Sequence, residues 1–139
     1  MKDTLDVKWA GEMAFEATVD GHSLLLDASP SVGGHKAGPR PKSLLMVSVA
    51  GCTGMDVISI LKKMKIELAG FNVHVDGTLT EEHPKHFTDI HLIYEFTGKD
   101  IPFDKVKHAI ELSQDKYCGV SATLKKALRL TYEIKINNS

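Results

Sequence analysis

The sequence predicts an α+β domain in the order βββ-α-ββ-αα-β, built on a mostly antiparallel sheet with a long central helix and with helices on one side. Three observations carry the prediction. Apolar and polar residues alternate with period two in residues 4–27, 71–96 and 128–136. A continuous apolar run follows Pro41, and an amphipathic helical pattern opens at Pro102. At 139 residues, 42% apolar and 25% charged, the chain has material for one core and not two, so residues 1–139 are expected to form a single domain.

In the first segment, Leu5, Val7 and Trp9, then Met13, Phe15, Ala17 and Val19, read as strands. The Asp-Gly of "VDGHS" supplies a hairpin turn, for two or three antiparallel strands in all. Residues 29–41, "SPSVGGHKAGPRP", are rich in glycine and proline and predict a mobile loop that ends on a proline suited to the first turn of a helix. The helix is expected over 41–65. It is apolar around most of its circumference, which predicts cover on all sides and, in so short a chain, a second copy to supply it.

"FNVHVDGTLT" and "DIHLIYEFTG" are the next two strands, paired as a hairpin across "EEHPKH". After Pro102 a helix places Phe103, Val106, Ile110 and Ser113 on one face, with Asp104 favourably set in its first turn. Gly119 divides "SQDKYCGVSATLKKAL" into two short helical pieces. The alternation of Leu128, Leu130, Tyr132, Ile134 and Ile136 makes the last strand.

A formal charge of -1 gives no long-range field for nucleic acid or an anionic membrane. The N-terminus lacks a signal-peptide core, and the apolar run at 44–61 is interrupted by Gly51, Cys52, Thr53, Gly54 and Asp56, so no membrane span and a cytoplasmic location are expected. There the two cysteines are thiols at rest. His83 and His86 have a His-x-x-His spacing but flank Pro84 in a turn with no third ligand near in sequence, so no metal is expected, and no cofactor. "GGHKAGPR" has Arg40 where a phosphate loop needs Lys-Ser or Lys-Thr, and no serine lies in a Gly-x-Ser-x-Gly frame.

The cysteines carry the remaining chemistry. Cys52 is either a small filler beside Gly51 and Gly54 or a nucleophile with Cys118 as its partner, and a separation of 66 residues leaves open whether they meet. A reactive thiol must ionise. Cys52 lies too deep in its helix for the N-terminal dipole to help, and Asp56, one turn on, opposes ionisation. Arg40, Lys42 and His35, in and beside the preceding loop, are the nearest cations to offset this.

The stretches "RPKSLLMVSVAGCTGMDVISILKK", "VDGTLTEEHPKHFTDIHLIYEFTG" and "AIELSQDKYCGVSATLKKA" resemble the OsmC/Ohr family, the osmotically inducible and organic hydroperoxide resistance proteins, from about residue 7 to residue 136. The resemblance implies an intertwined homodimer with active sites at the subunit interface. It also implies a thiol peroxidase cycle for organic hydroperoxides, in which Cys52 matches the peroxidatic cysteine, Cys118 the resolving one, and a dithiol reductant restores both. Two positions depart from the peroxidase pattern. Lys42 stands where those enzymes carry a glutamate, and their N-terminal arginine has no match, Glu12 and Met13 lying near the expected place. The signature "HPKHFTDI…KYCGV" resembles the OsmC-like branch.

Two functions follow as expectations. One is a peroxidase for organic hydroperoxides, with Cys52 and Cys118 catalytic and a pocket of Leu45, Met46, Val49 and Met55. The other is a non-catalytic module that binds a small apolar molecule or senses electrophiles in the same pocket. The acidity of Cys52 separates them.

Overall fold

The computed structural model describes residues 1–138. They form two compact units, the first over Met1–Leu45 and the second beginning at Met46. In the N-terminal unit, strands β1 (Asp6–Trp9), β2 (Phe15–Val19) and β3 (His22–Leu26) pair antiparallel in chain order. The β2–β3 turn is Asp20-Gly21 with φ of 49° and 78°, the double left-handed geometry that a two-residue hairpin demands and that Asp-Gly tolerates.

The segment after β3, expected as a loop, is anchored by Asp27. The Asp27 carboxylate accepts the N–H groups of Ala28 at 2.8 Å, His35 at 2.9 Å and Ala37 at 3.1 Å, and Pro30–Val32 form one 3₁₀ turn. Three backbone donors hold that carboxyl below its ordinary value, the His35 amide foremost. The chain also crosses itself closely. A Cβ at Gly34 would lie 1.8 Å from the Ala28 carbonyl oxygen, so only glycine fits there.

Helix α1 (Pro41–Lys63) starts in the N-terminal unit and continues through the second. The second unit adds β4 (Gly70–Leu79), β5 (Phe87–Gly98), helices α2 (Phe103–Leu112) and α3 (Gly119–Leu124), and β6 (Arg129–Asn138). The element order matches expectation. β4 and β5 form the expected antiparallel hairpin, but β6 runs parallel to β5, so this sheet is mixed and not antiparallel throughout. The reason is connectivity: residues 99–128 form a long helical crossover that returns the chain to the end where β5 began, which a parallel pair requires.

Alternate residues of β5, Ile90, Leu92, Tyr94 and Phe96, are fully buried and form the floor of the core. Val49, Val57 and Leu61 of α1, with Val106, Ala109 and Ile110 of α2, cluster with them. In α1 the buried stripe is Val49, Thr53, Val57 and Leu61, an i,i+4 row. Val47 at 62% and Met55 at 75% relative exposure lie off that row, so the chain itself covers the helix on one side and not all round. By length and composition α1 is long and apolar enough to cross a bilayer, despite the interruptions at 51–56. Its buried row packs instead in the core of its own unit.

Phe103, expected on the buried face of α2, is exposed because it is the first residue of the helix, whereas Ser113 is fully buried. Beyond Leu112 the chain widens into a π-helical turn, Ser113–Tyr117, closed by the Cys118 N–H donating to the Ser113 carbonyl at 2.7 Å.

Candidate active site

The tertiary structure brings the two cysteines together. Cys52, half-buried, lies beside the buried row of α1. Cys118, 3% exposed, adopts extended backbone between the π turn and α3, where it caps the helix: its Sγ accepts the Ser121 N–H at 3.3 Å. Both are free thiols. The two sulfurs and a carboxylate oxygen of Asp56 lie within 4.8 Å of one another.

This setting disfavours the Cys52 thiolate. Burial pushes its pKa above the ordinary 9.0; the Cys118 thiol, as hydrogen-bond partner and as a like charge, and the Asp56 carboxylate add to the shift, while the Val120 N–H donating to the sulfur opposes it. No cation is among these influences. Arg40, Lys42 and His35 all belong to the N-terminal unit. Arg40 and Lys42 are exposed, and the His35 ring nitrogen Nε2 pairs with Glu12.

Behind the cysteines lies a buried polar chain that the period-two and helical patterns did not reveal. Ser113 donates to Asp56 Oδ2 at 2.9 Å, which commits its proton and makes it an acceptor toward Thr53 at 2.7 Å. Thr53 must then accept from the Tyr94 hydroxyl at 2.7 Å, and Gln114 Nε2 donates to Tyr94 at 2.9 Å and to Thr53 at 3.2 Å. Every hydroxyl thus points the same way, from Gln114 through Tyr94, Thr53 and Ser113 to the Asp56 carboxylate. Burial raises Tyr94 to about 12, against its hydrogen bonds with Thr53 and Gln114, and keeps it a neutral donor. The signal available in the sequence was Ser113, a hydroxyl on the apolar face of the helix expected after Pro102.

A shallow apolar groove of about 610 Å³ runs between α1 and β4, lined by Met46, Gly51, Met55, Ile58, Phe71 and Val73 among others. Of the four residues expected to form a pocket, Met46 and Met55 line this groove. Val49 does not: it is 0% exposed and points into the core, because it begins the buried i,i+4 row. Leu45 is exposed on the N-terminal unit. His83 and His86 are exposed, and His86 Nδ1 engages the Pro84 carbonyl at 2.8 Å. Among the described residues, Cys52, Asp56 and Cys118 are the one group of three such donors close enough to share an ion.

Residues 33–133 match the family model described as OsmC-like protein. Protein YhfA of Escherichia coli K12 is 34% identical over 131 residues, spanning 94% of this chain and 95% of that protein. A hypothetical protein from Aquifex aeolicus superposes with a TM-score of 0.82 at 28% identity over 98% of both chains. The organic hydroperoxide resistance protein OhrB of Bacillus subtilis superposes with a TM-score of 0.68 at 18% identity, over 96% of this chain and 98% of that one, a likeness of fold. From the cysteine-bearing helix to the last strand, sequence and fold agree: the chain belongs to the OsmC-like protein family.

Proposed function

We propose that the protein is a cysteine-pair peroxidase that reduces organic hydroperoxides. The observation that carries this reading is the approach of two free thiols, Cys52 and Cys118, within 4.8 Å across two separate helical segments. A disulfide joins two sulfurs at roughly 2.05 Å, so the pair must close further to link. The Bacillus subtilis neighbour, named for organic hydroperoxide resistance, supports the substrate class.

In the cycle, the Cys52 sulfur attacks the distal peroxide oxygen, the O–O bond breaks, and the alcohol leaves with the proton that Cys52 gives up. The Cys118 sulfur then displaces the oxygen of the Cys52 sulfenic acid as water, forming the disulfide. A dithiol reductant returns both thiols. Cys52 starts as a neutral thiol, so its proton needs an acceptor. The Asp56 carboxylate is in reach, held in place by the Ser113 hydroxyl. The exposed apolar flank of α1, Val47 and Met55, and a three-stranded sheet that buries only Ala17 among its strand residues, suit a homodimer. A cytoplasmic setting fits a resting dithiol.

The raised Cys52 pKa favours a second reading, a module that binds a small apolar molecule in the α1–β4 groove or senses electrophiles at Cys52. One experiment separates the two. Reduced protein receives one equivalent of cumene hydroperoxide, and peroxide loss and intact mass are followed beside Cys52→Ser and Cys118→Ser. Rapid loss of peroxide with a Cys52–Cys118 linkage supports the peroxidase. Slow, equal consumption by all three proteins removes it.

A further inference from the structure

We infer that Cys52, Cys118 and Asp56 together form a binding site for a thiophilic divalent cation, with zinc the best-fitting ion, where the sequence alone leads to the expectation of no metal. The donor atoms already have the right dimensions. A tetrahedral zinc ion with bonds of roughly 2.0–2.3 Å holds neighbouring ligand atoms roughly 3.5–3.8 Å apart. The two sulfurs and the carboxylate oxygen lie within 4.8 Å of one another, so small rotations complete three corners of the tetrahedron. Two sulfur donors select zinc and its soft neighbours over magnesium and calcium, which take oxygen ligands.

A second, independent observation is the shell around these donors. Each sulfur accepts one backbone N–H, Cys52 from Val120 and Cys118 from Ser121, and Asp56 Oδ2 accepts the Ser113 hydroxyl. Hydrogen bonds of this kind orient the ligands of a metal and disperse the charge of metal-bound thiolates. Three protein donors leave the fourth position to water, and half-buried Cys52 provides the way in.

Metal binding stands apart from the peroxidase reading, but its release depends on it, because the same sulfurs serve both. One organic hydroperoxide and two protons would convert the zinc dithiolate to the Cys52–Cys118 disulfide, free zinc ion, one alcohol and one water; the sulfurs lose two electrons and the O–O bond takes them up. Zinc would thus hold the pair reduced until peroxide displaces it.

The test uses full-length protein, reduced and oxygen-free, titrated with cobalt(II) as a spectroscopic stand-in for zinc. The expected result is one cobalt per chain with thiolate-to-metal charge-transfer absorption, bleached by one equivalent of zinc. Cys52→Ser and Cys118→Ser should each lose that absorption, and Asp56→Asn should bind at least tenfold more weakly. If Cys118→Ser fails to fold, zinc protection of both cysteines of the unmodified protein from N-ethylmaleimide replaces it. Absence of the charge-transfer band overturns the site, as does wild-type affinity in Cys52→Ser, which would put the metal on surface groups such as His74 and Asp76. Unchanged affinity in Asp56→Asn overturns the three-donor assignment. Zinc that binds as expected but is not released by cumene hydroperoxide refutes the peroxidase reading and leaves the metal site standing.

Discussion

Replacing Thr53 by valine tests whether the buried hydroxyl chain is a directed network or a set of incidental contacts. Valine matches threonine in shape and is more apolar, so burial alone predicts a neutral or stabilising change at a site that is 0% exposed. The network predicts the opposite. Thr53 is the acceptor for Tyr94 at 2.7 Å and the donor to Ser113 at 2.7 Å. In the valine variant the Tyr94 proton loses its acceptor in a fully buried setting, while Ser113 and Gln114 each keep one partner, Asp56 and Tyr94. One stranded buried donor plus the lost hydrogen bonds costs about 2 kcal/mol. Thr53→Ser keeps the hydroxyl and loses one methyl, about 1 kcal/mol. Urea unfolding reads the difference: with a slope of about 2 kcal/mol per molar, valine should lower the midpoint by about 1 M and serine by about half as much. A valine variant as stable as the unmodified protein, or more so, would refute the directed network.

Three further outcomes follow from the same geometry. Iodoacetamide should alkylate Cys52 slowly at neutral pH, with the midpoint of its rate–pH profile above the ordinary 9.0, and Asp56→Asn should move that midpoint to lower pH by removing a neighbouring negative charge; a midpoint below 9.0 in the unmodified protein contradicts the raised thiol. Gly77→Ala should destabilise by about 1–3 kcal/mol, since its Cβ would lie 2.6 Å from the Phe87 ring and 2.8 Å from Met46 Sδ, and a thermal melt unchanged from the parent would show that this contact relaxes freely. Asp27→Asn should loosen residues 29–40 to limited proteolysis at neutral pH. Because the folded-state pKa of Asp27 is lowered, its contribution is present above the ordinary 3.8 and fades as pH falls through the lower folded value, so parent and variant should converge in strongly acidic buffer; a gap in stability that widens on acidification would reverse the sign.

The strands, the order of elements and the family were legible in the sequence because each rests on local pattern. Alternation in 71–96 and 128–136 marks strands wherever they pair, and the Asp-Gly at 20–21 makes its turn from backbone preference alone. The direction of β6 was not legible, because alternation is the same in a parallel and an antiparallel strand; the crossover through α2 and α3 decides it. The role of Val49 was not legible either. An all-apolar helix carries no mark of which row faces the core, and the packing of 49, 53, 57 and 61 in the core beside β5 settled that. The anchoring of His35 and Ala37 was not legible, because it depends on one carboxylate, Asp27, meeting backbone amides up to ten residues away.

The sequence by itself determined that two cysteines exist, that one lies on an apolar helix and the other after a helical turn, and that the chain has the residues of an OsmC-like protein. Only the tertiary structure decided that the sulfurs lie within 4.8 Å of one another, that Asp56 joins them, and that a chain of hydroxyls ends on that carboxylate. The physical reason is the π-helical turn at Ser113–Tyr117. Its hydrogen bond spans one residue more than that of an α-helical turn; the turn leaves Cys118 in extended geometry at the start of α3 and so sets it beside a helix 66 positions earlier in the chain, a distance that no local pattern encodes.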